Sequence, residues 1–204
     1  MYIGFERHII KKNTHVQNIA KGRKGMCTQY KLYKLDEDMA CSTMQKLKQN
    51  PKITFQKVND HVIAIYYDYM EIVYKEILEI MSAYDASQYI LTTSIFYKML
   101  KNFFNKKIKL KEIMLSPIFR EENELLDKYV KEVYIRNQNA QSIDCLLNEL
   151  QWYNYDEGID INNITFQVMK EKRMVSFSIY NNGILTIDSS TIQEKIFELL
   201  GEIL

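Results

Sequence analysis

Lysine and arginine are gathered into two stretches of this 204-residue chain, and phosphate binding is the chemistry their spacing suggests. Residues 1–34 carry eight Lys or Arg against Glu6 alone, and residues 98–112 carry six Lys against Glu112 alone. The stretches between and after them are acidic, so the chain as a whole has a formal charge of only +1. If the two basic stretches meet in space, Lys11, Lys12, Lys21, Arg23, Lys24, Lys106, Lys107 and Lys109 form a patch able to engage DNA or RNA through its phosphates. Tyr30 and Tyr33, beside Lys31 and Lys34, would then be available to stack on bases.

Within the first stretch, Lys21-Gly22-Arg23-Lys24-Gly25 contains a Gly-x-x-Gly whose two glycines let backbone approach a phosphate. KH modules use such a loop between two helices to clamp nucleic-acid backbone. Here Cys27, Gln29 and Lys31 alternate as a strand does and no apolar helix follows, so the segment reads as a basic loop instead. A different contact chemistry is offered by Trp152, Tyr153 and Tyr155, an aromatic run of the kind that anchors protein partners.

Catalytic signatures are scarce. The chain has no Gly-x-x-x-x-Gly-Lys-Ser/Thr phosphate loop, no Gly-x-Gly-x-x-Gly, no Gly-x-Ser-x-Gly and no His-Glu-x-x-His. No Glu-x-Lys occurs to serve a metal-dependent nuclease. His8, His15, Cys27 and Cys41 are zinc-ligand types, but they lack the tight pairs that hold structural sites, and no metal or cofactor is expected. Asp156-Glu157-Gly158-x-Asp160 lacks the spacing of a calcium loop and reads as solvated. Cys145, in an amphipathic segment without a nearby His, reads as packing.

The elements that must position these residues follow from composition and periodicity. With 47% apolar and 26% charged residues, six Gly and two Pro, the chain has an ordinary globular make-up. The abundance of Ile, Lys, Asn and Tyr matches A/T-rich codons, which suggests a bacterium, a phage or another mobile element of that base composition. Three widely spaced Cys, and a start at Met1-Tyr-Ile-Gly-Phe-Glu-Arg7 that lacks a signal-peptide pattern, favour a reducing, cytoplasmic setting. No apolar run approaches the roughly 18 residues of a membrane span, so no membrane partner is expected.

Capping patterns predict helices over 69–83, starting at Asp68 with Glu71, and over 86–104, starting at Asp85 with Gln88. Further helices are predicted from the acidic start at Asp36 to a stop before Pro51, from Glu121 to Arg136, and from Ser142 to Tyr153. Strands are predicted at Tyr2 to Ile10, Gln29 to Lys34 and Lys107 to Leu115, with a hairpin around Asn59-Asp60. Near the C-terminus the alternation at Ile164, Phe166 and Val168 opens a three-stranded meander. Its last turn is Asn181-Asn182-Gly183. A three-residue loop there puts Val175, Phe177, Ile179, Leu185 and Ile187 on one face, whereas a two-residue loop would mix polar and apolar residues on both. Ser190 with Gln193 then starts a helix whose Ile192, Ile196, Leu199, Leu200 and Ile203 can cover that face.

Strands and helices interleave without a βαβ rhythm, so the expected class is α+β, an antiparallel sheet packed with several amphipathic helices. The expected organisation is one compact unit, with lobes at 1–105 and 106–204. The functional expectation is a non-enzymatic binding protein, a subunit or adaptor contacting nucleic acid through the basic N-terminal segment. The alternative is a protein-interaction factor, such as a component of a bacterial defence complex or a phage-borne inhibitor. An enzyme with dispersed residues comes third.

Overall fold

Every residue of Val62-Ile-Ala-Ile65 is buried, a run that only a strand covered on both faces can satisfy. The computed structural model describes residues 27–68, 74–106, 108–116, 120–135 and 140–204. Their order is β1 (Thr28–Lys34), α1 (Ala40–Gln49), β2 (Phe55–Lys57), β3 (Val62–Tyr66), α2 (Tyr74–Ser82), β4 (Ser87–Gln88) and α3 (Thr93–Asn105). Then follow β5 (Lys109–Ser116), α4 (Arg120–Ile135), α5 (Ala140–Tyr155), β6 (Asp160–Lys170), β7 (Arg173–Tyr180), β8 (Ile184–Ile187), a short 3-10 turn (Ser190–Ile192) and α6 (Gln193–Gly201).

The strands form one antiparallel eight-stranded sheet in the order β2-β3-β1-β8-β7-β6-β5, with β4 pairing the end of β1. This is an α+β fold. Residues before and after 105 share the sheet through β1 and β8, where Thr28 opposes Ile187 and Tyr30 opposes Leu185. The first strand candidate, Tyr2 to Ile10, lies outside the described residues.

Alternation along β1 and β3 divides the apolar residues between two cores. Leu32, Val62 and Ala64 join the larger one, filled by α3, α4, α5 and α6. Tyr33, Ile63 and Ile65 join the smaller one with Leu47 of α1 and Ile77 and Met81 of α2. In the larger core Phe103 meets Phe166 and Phe177 edge-on, with ring centroids 4.8 and 6.0 Å apart. Truncating such a fully buried aromatic costs about 3–5 kcal/mol.

The C-terminal meander forms as its alternation predicts. Ile179 opposes Leu185 and Phe177 opposes Ile187, leaving Asn181, Asn182 and Gly183 as the loop. Gly183 has φ +80°, and its N–H donates to the Tyr180 carbonyl at 2.9 Å. On the opposite face polar pairs replace apolar ones: the Thr165 and Ser178 hydroxyls lie 2.8 Å apart. Phe177, Ile179, Leu185, Ile187, Ile192, Ile196, Leu199 and Leu200 all belong to the larger core, so the last helix does cover the meander.

Three helix starts differ from the capping patterns, and in the last Ser190 opens the 3-10 turn while α6 begins at Gln193 after Ile192, with no side-chain cap. Asp85 ends α2 instead of starting α3: it sits at φ +53°, its N–H donates to Ser82 O and the Ala86 N–H to Met81 O, a Schellman closure. Ser87 and Gln88 then pair with β1, and α3 begins only at Thr93. The acidic residues Asp36 to Asp38 likewise form a turn ahead of α1, with Asp36 Oδ1 accepting from the Asp38 N–H at 3.0 Å. The Glu71 of the first pattern lies outside the described residues. The Asn59-Asp60 hairpin forms, with Asn59 Oδ1 accepting from the N–H groups of His61 and Val62 at 2.9 and 2.7 Å.

Candidate nucleic-acid interface

Because each neighbouring pair in the sheet is antiparallel, its two rims are defined by strand direction. At one rim β1, β2, β5 and β7 begin while β3, β6 and β8 end; at the other the roles reverse. A single cross-strand row near the first rim runs Thr28–Ile187–Phe177–Phe166–Leu110. Four strand spacings of roughly 4.8 Å make that path about 19 Å long. The residue at which the N-terminal basic segment joins the sheet and the start of β5, with Lys109, thus share a rim and a row.

Lys11, Lys12, Lys21, Arg23 and Lys24 themselves lie outside the described residues, as do the Gly-x-x-Gly loop, His8, His15 and Lys107. Of the described cations expected in the patch, Lys106 makes an ion pair with Glu202, just past the end of α6. That pairing removes much of its charge from any ligand. Lys109 holds its ammonium 4.9 Å from the centre of the Tyr134 ring on α4, a contact that leaves its charge uncompensated.

Three residues counted with the basic stretch are not surface groups for a polyanion. Tyr30 is only 4% exposed, its ring packed edge-on against Phe197 and Tyr66, so it is core and not a stacking platform. Burial, and then the neighbouring Tyr66, push its hydroxyl up to about 12. Tyr33 is as deeply buried in the other core. Lys31 is 2% exposed, its ammonium donating to the Asn182 carbonyl and lying 5.6 Å from the Tyr74 ring centre. Burial lowers its pKa, and no carboxylate among the described residues pairs with it. Alternation explains all three, since both faces of β1 are covered.

The first rim also bears cations that the linear charge count did not group with the patch. Lys48 and Lys52 precede β2, and the β6–β7 turn presents Lys170, Lys172 and Arg173 with Glu171 between them, while Asp68 and Asp188 follow the ends of β3 and β8 on the same rim, Asp188 close to Cys27. The opposite rim is acidic. There Lys34, Asp36, Glu37, Asp38 and Asp85 line an open hollow of about 500 Å³, with Asp156, Glu157 and Asp160 where β6 begins and, in the β2–β3 turn, Asp60 paired with Lys57. A signal for this division was present in the sequence only as loops of one sign; which loops share a rim is set by strand order.

The aromatic run divides along α5. Tyr153 is 1% exposed and belongs to the larger core, so it cannot anchor a partner. Trp152 and Tyr155, three residues apart on one side of the helix, are 48% and 80% exposed. Next to Tyr155, Tyr97 has a buried hydroxyl without a hydrogen bond among the described residues, and burial ahead of the Tyr155 and Asp160 charges raises it to about 12. Asp160 itself accepts from Thr93 Oγ1 at 3.0 Å and Asn154 Nδ2 at 2.7 Å. Cys145 faces solvent instead of packing, and Cys27 and Cys41 are also free and exposed.

Among the described residues no group of His, Cys, Asp and Glu is arranged to hold a metal ion, and no helix is long and apolar enough to cross a membrane. Compared with protein-family models, curated proteins and solved structures, the chain matches none.

Proposed function

We propose that this protein is a non-enzymatic nucleic-acid-binding subunit or adaptor, cytoplasmic and of bacterial or phage origin, whose contacts come from the basic N-terminal segment and the basic rim of its sheet. The observation that supports the reading best is the shared rim and row of Thr28 and Leu110, which bring the attachment point of six N-terminal cations within about 19 Å of Lys109. An acidic rim at the far end of the same strands gives the molecule a charge axis, so a polyanion approaches in one orientation.

Counterion release makes the reading testable. Binding to a labelled 20-base-pair duplex, followed by fluorescence anisotropy, should weaken steeply between 50 and 200 mM salt, with a log–log slope of about −0.9 for each phosphate neutralised. Removing the charge of Lys21, Arg23 and Lys24 together should flatten that slope by about 3. No binding at 50 mM salt, or binding indifferent to salt, refutes the proposal.

One observation favours a second reading. Trp152 and Tyr155 expose a paired aromatic surface on α5, suited to a protein partner. Such an interface holds as salt rises and survives nuclease, so a stoichiometric partner retained after both treatments, and lost in the Trp152→Ala chain, decides for it.

A further inference from the structure

Two aromatic rings left largely in solvent stand at the end of α5 beside three carboxylates without a cation. Trp152 and Tyr155 are 48% and 80% exposed, and the Trp152 ring leans on the buried Tyr153, with centroids 5.3 Å apart. Asp156 and Glu157 follow at once and Asp160 opens β6, all three exposed and none of them in an ion pair among the described residues.

The backbone fixes where these groups stand. The Asp156 N–H donates to the Trp152 carbonyl and the Ile159 N–H to the Tyr153 carbonyl, both at 2.9 Å, and Gly158 at φ +64° lets α5 close as a Schellman turn. Asp160 Oδ1 accepts from Asn154 Nδ2 at 2.7 Å and from Thr93 Oγ1 of α3 at 3.0 Å, so its other oxygen is without a partner among the described residues. One turn beyond Thr93, Tyr97 places a buried hydroxyl with no hydrogen bond among the described residues beside Tyr155 and Asp160. Neither Lys98 nor Lys101 of α3 pairs with the carboxylates, and Lys101 lies about 12 Å of helix rise beyond Thr93.

We infer that this corner receives an arginine side chain presented by a protein partner. The inference rests on the protein-partner reading of α5 and names the chemistry of that partner. A planar guanidinium stacks on an exposed indole or phenol ring, donates two parallel N–H bonds to a carboxylate, and is more weakly hydrated than an ammonium. Rings beside carboxylates at the negative end of a helix meet each of those demands. The Tyr97 hydroxyl oxygen is one more acceptor that folding leaves unused. The same carboxylates repel phosphates, so a nucleic-acid strand does not stack here although its bases could use the rings. One guanidinium among rings is a single charge, and salt weakens it far less than a row of phosphate contacts.

Trp152 is the chain's single tryptophan, so its fluorescence reports on this corner directly. The full chain is titrated with the peptide acetyl-Gly-Arg-Gly-amide, with the same peptide carrying citrulline, the neutral isostere of arginine, and with single-stranded oligothymidine. Two variants are titrated alongside once melting curves show that they fold: Asp156→Asn/Glu157→Gln, which leaves the Asp160 hydrogen bonds untouched, and Asp160→Asn. The arginine peptide should change the emission saturably, the citrulline peptide should bind about tenfold more weakly, and each variant should lose affinity for arginine by up to about tenfold. No saturable response to arginine, an equal response to citrulline, or unchanged affinity in both variants overturns the arginine site. Tighter binding of oligothymidine also overturns it, since the rings then serve as a base platform. A protein partner that is lost with Trp152→Ala but kept by both carboxylate variants leaves the protein-partner reading intact and overturns the arginine; a chain with no such partner overturns both.

Discussion

Replacing Gly183 by Ala is expected to be far more damaging than replacing Gly158, although both glycines have left-handed backbone, at φ +80° and +64°. For an L-residue that conformation costs about 1–2 kcal/mol, and at Gly158 this is the whole effect, because an added Cβ meets nothing within 4 Å. At Gly183 the same Cβ would stand 2.1 Å from the Tyr89 carbonyl oxygen, which is backbone and cannot swing aside. Relief requires the 89–91 segment to move by more than 1 Å. The bonds that hold it and the turn together are Leu32 N–H to Gly183 O at 2.8 Å, Tyr89 N–H to Leu32 O at 3.0 Å and Leu91 N–H to Asn181 O at 2.8 Å. Losing one of these pairings adds about 1–3 kcal/mol, so Gly183→Ala should cost about 2–5 kcal/mol in all. That is a large part of the roughly 5–15 kcal/mol available to a domain of this kind. Urea unfolding followed by far-UV circular dichroism separates the two variants. If their midpoints coincide at equal m-values, the junction of β4 with the β7–β8 turn is not as tight as argued.

Three further outcomes follow from the same geometry. Glu171→Asn with Lys172→Gly gives the β6–β7 turn, where both residues have positive φ, the residues its backbone prefers, and should raise stability by about 1–2 kcal/mol in chemical denaturation. Tyr153→Ala should cost about 3–5 kcal/mol and Tyr155→Ala less than about 0.5 kcal/mol, measured by the same unfolding curves. Lys31 has a folded pKa below its ordinary 10.5, so between those two values the unfolded chain holds the extra proton and stability climbs with pH. Above about 10 the raised Tyr30 opposes this climb, because the unfolded chain loses the phenolic proton first. Relative to Lys31→Met, the wild-type chain should therefore gain melting temperature as pH rises towards 10.5; parallel curves would mean the buried amine does not titrate there.

Local pattern was enough wherever an element's own residues decide its shape. The alternation from Val175 to Ile187 admits only a three-residue loop, because any other register mixes the faces, and the loop has that length. The last helix and its apolar stripe were legible for the same reason. Asp85 was not, since Asp with Gln three residues on fits the start of a helix, yet the closing hydrogen bonds of α2 claimed it first. Tyr30 and Lys31 looked like one surface motif because covering β1 on both faces is a property of the whole sheet, invisible in seven residues. Tyr153 differs from Tyr155 through its direction on α5 relative to a core built from distant strands. Sequence by itself determined the α+β class, the meander and the existence of two cationic stretches. Tertiary structure alone decided which charges are neighbours, for strand order and direction collect residues 28, 109 and 170–173 at one rim and most of the acidic loops at the other, and contacts so remote along the chain leave no periodic trace in it.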